Sequence, residues 1–133
     1  MPDQAAAQQF LTELRTRIST QPLPYQYGAE AAALKSLWEV FAQARDAMKK
    51  NPGCEKFANR TMEVLNLVVR PRTAKWYRAH NQGRLNGREG ADEFRGEYET
   101  VQEHLLAFAT ELHEMAYPPF IPTNCSLADL KSY

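Results

Sequence analysis

The chain is organised around one stretch, FRGEYETVQEHLLAFATELHEM, which runs from Phe94 to Met115. Its apolar residues recur in steps that alternate between four and three, the spacing of one stripe along an α-helix. The members of this stripe are Phe94, Tyr98, Val101, Leu105, Phe108, Leu112 and Met115. Leu106 and Ala109 add a second apolar ridge, which favours a helix that contacts two neighbours in a bundle over a coiled coil with one partner.

Three further amphipathic segments precede this stretch and supply neighbours for it. The first predicted helix spans about 3–19 with Asp3 as its N-cap, and the second spans about 29–50. The third spans about 54–69, and we expect Pro71 to end it because proline lacks the amide hydrogen and clashes with the preceding turn. A proline also biases the residue before it, here Arg70, away from helical geometry.

A short helix and the long final one complete the predicted fold. Thr73 can cap the short helix over 74–82, and the long helix begins between 87 and 92 and ends near Tyr117. The sequence therefore predicts an all-α protein, an antiparallel four-helix bundle with one extra short helix between helices 3 and 4. We expect a bundle domain over 1–119 and a short C-terminal tail over 120–133. The predicted core centre consists of Trp38, Phe41, Leu65, Leu105 and Phe108.

Composition excludes several classes of protein. The 133 residues include 16 basic and 16 acidic side chains, so the net charge of zero gives no general attraction to nucleic acids or membranes. No apolar run approaches the ~20 residues that span a bilayer, and residues 1–5 lack the features of a signal peptide. Cys54 and Cys125 are interpreted as free thiols of a reduced compartment, with a disulfide between them as the alternative. We therefore expect no membrane partner and a location in the cytoplasm of a bacterial cell.

Motifs for catalysis or metal binding are missing from the sequence. It contains no His-Glu-x-x-His, Glu-x-x-His, Cys-x-x-Cys or Gly-x-Ser-x-Gly pattern. A ligand site in the core that uses Tyr98, His104 or His113 stays open as the least favoured alternative. The acids of the final helix are interpreted as a solvated face; they are Glu97, Glu99, Glu103, Glu111 and Glu114. We expect no enzyme activity, no cofactor and no metal site.

One local anomaly is a basic stretch over 70–88, which holds six basic residues and no acid. Its candidate binding residues are Arg70, Arg72, Lys75, Trp76, Arg78, Arg84 and Arg88. Cations with interleaved aromatic residues can bind carboxylates or phosphates of a protein partner, or the backbone and bases of a nucleic acid. In the plainer alternative, Trp76 fills the open end of the bundle and the cations pair with nearby acids.

The pattern as a whole favours a non-enzymatic helical protein-interaction module, such as a small regulatory or adaptor subunit of a bacterial assembly. A basic-aromatic stretch beside an acidic helix face could also support self-association. The alternative is a helical bundle that binds nucleic acid through residues 70–88. Zero net charge weakens this alternative, because non-specific binding to nucleic acids depends on a positive surface.

Overall fold

The computed structural model describes residues 1–17 and 29–119, and these residues form helices joined by short turns, without a strand. Its helices are α1 (Pro2–Thr16), α2 (Ala29–Lys50), α3 (Glu55–Val64), α4 (Arg70–Asn81) and α5 (Arg88–Ala116). The predicted all-α bundle is thereby confirmed, with α4 as the extra helix. The predicted tail over 120–133, including Cys125, lies outside the described residues.

The apolar stripe of α5 forms the centre of the core. All of its members from Phe94 to Leu112 are buried, whereas Met115 is only partly covered. The prediction of a second apolar ridge is wrong for Leu106, which is 51% exposed, although Ala109 is buried. The stripe itself therefore supplies most of the contacts that α5 makes with its neighbours.

Helix α1 lies along the C-terminal half of α5 with the opposite chain direction. Near the start of α1, Gln4 and Gln8 donate hydrogen bonds of 3.1 and 3.0 Å to the carbonyl of Ala116 at the end of α5. Further along α1, the ring of Phe10 lies 6.5 Å from that of Phe108. The antiparallel order of the whole bundle stays a prediction.

Pro71 does not end the third helix, and the prediction of a break at Arg70 and Pro71 is wrong. A π-helical turn over Leu65–Val69 joins α3 to α4, and the backbone N–H of Arg70 donates to the carbonyl of Leu65, five residues earlier. This wider turn accommodates the proline. The carbonyls that face Pro71 from one turn earlier, and receive no N–H from it, belong to residues 66 and 67, which are exposed to solvent. The short helix therefore begins at Arg70 rather than near residue 74.

Asp3 has a different role from the predicted one. The N-cap of α1 is Met1, and Asp3 lies inside the helix. Its carboxylate accepts a 2.9 Å hydrogen bond from the backbone N–H of Phe57, in the first turn of α3. Asp3 thus caps the neighbouring helix, because free N–H groups in a first turn attract a carboxylate.

The predicted core centre is confirmed for four of its members and wrong for Trp38. Phe41, Leu65, Leu105 and Phe108 are buried, whereas Trp38 is 54% exposed. The buried residues of α2 are Ala33, Leu34, Ser36, Leu37, Val40, Phe41, Ala44 and Ala47. Trp38 follows Leu34 by four residues and precedes Phe41 by three, so it lies at the border of this buried face, where its ring is 6.0 Å from that of Phe41 and half of it stays exposed.

Candidate functional site

The structure distributes the basic stretch over separate faces of the protein. Lys75 points toward α5, where its Nζ lies 2.8 Å from Glu97 and 3.5 Å from Glu93, and these carboxylates raise the pKa of Lys75. Trp76 is buried, edge-on to Phe94 at 5.4 Å. Both residues therefore contribute to the contact between α4 and α5, and the Trp76 ring does not reach the surface.

The remaining cations of the stretch are also dispersed. Arg72 donates a 2.8 Å hydrogen bond to the carbonyl of Val68, and Arg88 at the start of α5 lies 3.9 Å from Asp92. Arg78 on α4 and Arg84 in the turn after it are exposed, without an ion-pair partner among the described residues. The seven candidate residues consequently do not form one site.

An exposed pair of stacked aromatic rings lies between α2 and α4. The rings of Trp38 and Tyr77 are 5.9 Å apart and inclined by only 25°, yet 54% of Trp38 and 52% of Tyr77 is exposed. The pair borders a groove of about 530 Å³, whose lining consists of Ala31, Ala32, Leu34, Lys35, Trp38, Tyr77, His80 and Asn81. Exposed apolar surface of this kind is typical of binding sites.

Cations surround the aromatic pair. The guanidinium of Arg70 lies 4.9 Å from the centre of the Phe41 ring, which in turn lies 6.0 Å from Trp38. Lys35 lines the groove itself. Arg45 is exposed on the same face of α2, seven residues after Trp38, where helical periodicity places it about two turns along. We call Lys35, Trp38, Arg45, Arg70 and Tyr77 the α2–α4 surface.

The positive charge of this surface is largely uncompensated. On α2, Glu39 forms a 2.8 Å ion pair with Arg17, just after α1, and only a 4.0 Å contact with Lys35, while Asp46 pairs with Lys50 at 3.1 Å. Arg70 donates to the neutral amide oxygen of Asn66 at 2.9 Å. An approaching carboxylate would therefore meet cations that are not already neutralised by close acids.

Sequence reasoning identified Arg70 but missed the two aromatic residues of this surface. The sequence pattern predicts Trp38 in the core, and the candidate binding residues do not include Tyr77. The sequence gives no signal against this assignment, because Leu34, Trp38 and Phe41 have the spacing of one helical row and both neighbours of Trp38 in that row are buried. What the sequence could not show is that α4 brings Tyr77 against Trp38.

The alternative site around Tyr98 and the histidines does not form a shared pocket among the described residues. Tyr98 is buried against Phe94 at 5.6 Å, and this burial raises its pKa. His104 borders a shallow hollow of about 230 Å³ between α3 and α5, whereas the exposed His113 lies 5.1 Å from Tyr117. Tyr98 is thus enclosed in the core, whereas the two histidines are exposed at other positions of α5, and the hollow that His104 borders is lined by neither of the other two residues.

In comparisons with known proteins, the chain matches no family model, no curated protein and no solved structure. Residues 1–17 and 29–119 contain no group of His, Cys, Asp and Glu side chains arranged to hold a metal ion. No helix in these same ranges combines the length and apolar character needed to cross a bilayer. Among the described residues, the α2–α4 surface is therefore the feature from which we infer a function.

Proposed function

We propose that this protein is a non-enzymatic, helical protein-interaction module that binds an acidic protein through the α2–α4 surface. The observation that carries the proposal is the exposed Trp38–Tyr77 stack, framed by Lys35, Arg45 and Arg70. A role as a regulatory or adaptor subunit, and a location in the bacterial cytoplasm, are proposals that rest on the sequence.

The chemistry of this surface suits recognition of a protein. Tryptophan, tyrosine and arginine are enriched among the residues that contribute most to binding energy at protein interfaces. The rings supply apolar area, of which about half is exposed in this structure. The cations add attraction and orientation for an acidic partner. Their effect depends on salt, because they are exposed.

Nucleic acid is the less favoured ligand for the same surface. Stacked bases and phosphates could also be bound by aromatic residues and cations. However, Arg72, Lys75 and Trp76 from the basic stretch are engaged within the protein. This leaves few cations to follow a phosphate backbone, and the net charge of the chain is zero.

A paired affinity experiment tests the proposal. The wild-type protein and a Trp38→Ala/Tyr77→Ala variant serve as baits, with and without nuclease treatment, at low and high salt. The control is Leu67→Ala, which removes a side chain that is 70% exposed on the π-helical turn and lies outside the α2–α4 surface. Because all three side chains are exposed, we expect every bait to keep its helical circular dichroism.

The expected result is a set of acidic proteins that bind the wild type and Leu67→Ala, resist nuclease and are lost from the double variant. Loss of these proteins after nuclease treatment would assign the surface to nucleic acid. Equal recovery on all baits would show that the aromatic pair is not the binding surface. Either of the last two results would overturn the proposal.

A further inference from the structure

The outward face of α5 carries acids that the fold does not use. Glu93, Glu97 and Glu111 are held by Lys75 or Arg60 of the neighbouring helices. In contrast, Glu99 and Glu103 are exposed, with no ion-pair partner among the described residues. The acids of α5 therefore include a paired set beside α3 and α4, and an unpaired set on the side of α5 that faces away from the core.

Glu99 and Glu103 belong to one straight row on α5 that also includes Asp92 and Gly96. Asp92, Gly96, Glu99 and Glu103 are separated by four, three and four residues, the spacing of one helical face, and all of them are exposed. We call these four residues the α5 ridge. Arg88 lies near the ridge, with a side chain that is 96% exposed and 3.9 Å from Asp92. Arg95, one turn before Glu99, is held by Glu30 at 2.8 Å.

Gly96 is a second, independent peculiarity of the ridge. Glycine in a helix interior is less favourable than alanine. A β-carbon at residue 96 would nevertheless meet no atom of the described residues within 4 Å. Packing among residues 1–17 and 29–119 therefore gives no reason for a glycine here. A missing side chain does, however, allow bulky groups of another molecule to approach the helix backbone closely.

We propose that the α2–α4 surface of one copy binds the α5 ridge of a second copy. This inference rests on the proposed function and names the acidic partner as the protein itself. Lys35, Arg45 and Arg70 face the carboxylates of the ridge, and the Trp38–Tyr77 pair packs over Gly96. An amphipathic helix that docks on a groove with complementary charge is a recurrent mode of recognition.

The arrangement predicts head-to-tail association. The ridge points away from the core stripe of its own helix, so it is not available to the α2–α4 surface of the same molecule. Two different surfaces therefore meet, and each complex retains one free surface of each kind. Such heterologous contacts produce rings or open chains rather than a closed two-fold dimer.

Two variants with complementary defects test this geometry by sedimentation velocity at low salt. The surface variant is Trp38→Ala/Arg70→Gln, which keeps the ridge; the ridge variant is Glu99→Gln/Glu103→Gln, which keeps the surface. The matched control is Glu114→Gln, an exposed acid on the same face of α5 with no ion-pair partner among the described residues, three helical turns beyond Glu103 and so outside the ridge. Circular dichroism verifies that all variants are folded.

We expect the wild type and Glu114→Gln to form species larger than dimers as concentration rises, and high salt to weaken this association by roughly tenfold or more. Each double variant alone stays monomeric, whereas their mixture forms a 1:1 complex that does not grow. Gly96→Ala raises the denaturation midpoint but weakens association, and these opposite signs distinguish a role in binding from one in folding.

A monomeric wild type at every concentration, or a ridge variant that associates as well as the wild type, would overturn the self-association. If the affinity experiment still recovers acidic proteins that depend on Trp38 and Tyr77, the proposed function stands without it. If both experiments fail, the α2–α4 surface is not a binding site.

Discussion

At the scale of single residues, two glycines of α5 differ in the space that surrounds them. A β-carbon at Gly90 would lie 2.0 Å from the carbonyl oxygen of Arg84, whereas one at Gly96 would meet nothing within 4 Å. We expect Gly90→Ala to lower the free energy of unfolding by roughly 1–3 kcal/mol, because the backbone must move. Gly96→Ala should raise it by up to about 1 kcal/mol, the difference in helix propensity.

Chemical denaturation of dilute protein, where association is minimal, checks both substitutions. Equal changes in the two variants would show that the close approach between Arg84 and Gly90 does not constrain the turn before α5. A loss of stability in Gly96→Ala would show that this glycine has a structural role within one molecule.

Residue by residue, burial could be predicted where the helical spacing is regular. The prediction that the stripe from Phe94 to Leu112 is buried is confirmed, because only one orientation of the helix places all of these residues toward the core. Trp38 and Leu106 were assigned to apolar faces because of their hydrophobicity, yet both lie beside a buried stripe rather than in it. Hydrophobic character alone does not distinguish a core residue from a binding residue.

At the scale of helices, Pro71 provides a test of the π-helical turn between α3 and α4. A proline in a regular helix interior costs about 3 kcal/mol or more. Here the π turn precedes it, with the N–H of Arg70 bonded to the carbonyl of Leu65. We therefore expect Pro71→Ala to change the free energy of unfolding by less than about 1 kcal/mol in urea denaturation. A gain near 3 kcal/mol would mean that the proline strains the junction after all.

The contact between α3 and α5 predicts a pH dependence. Arg60 donates two hydrogen bonds of 2.7 Å to Glu111, and this pairing lowers the pKa of the Glu111 carboxyl. A lowered folded-state pKa means that the stabilisation is present at neutral pH and is lost as the pH falls through that value. Because both side chains are exposed, we expect the effect on overall stability to be small.

An NMR titration of the Glu111 carboxyl checks this directly. In the wild type its pKa should lie below the usual value for glutamate, and Arg60→Gln should return it toward that value. An unchanged titration in Arg60→Gln would show that the ion pair is not formed in solution.

Helix boundaries could be predicted where they depend on local signals. The bounds of α2 and α5 agree with the prediction, since turns with glycine or proline mark their ends. The junction from residue 65 to residue 71 could not be predicted, because its valines and its proline locally oppose a helix. Packing of Leu65, Val69 and Trp76 in the core stabilises the continuous helix instead.

At the scale of the whole molecule, zero net charge conceals a separation of charge. Cations surround the aromatic pair on α2 and α4, and unpaired acids occupy the outer face of α5. The sequence predicts a basic-aromatic site and an acidic face, but it does not show which of their charged residues form ion pairs within the protein. That division depends on distances between helices, such as the one between Lys75 and Glu97.

The claim that partners bind at the α2–α4 surface is tested most directly by acrylamide quenching of tryptophan fluorescence. Trp38 is 54% exposed and Trp76 only 1%, so nearly all of the quenchable emission comes from Trp38. We predict that quenching decreases as protein concentration rises at low salt, and that it recovers at high salt. Quenching that stays constant while sedimentation shows association would contradict the claim, because the aromatic pair would then remain outside the interface.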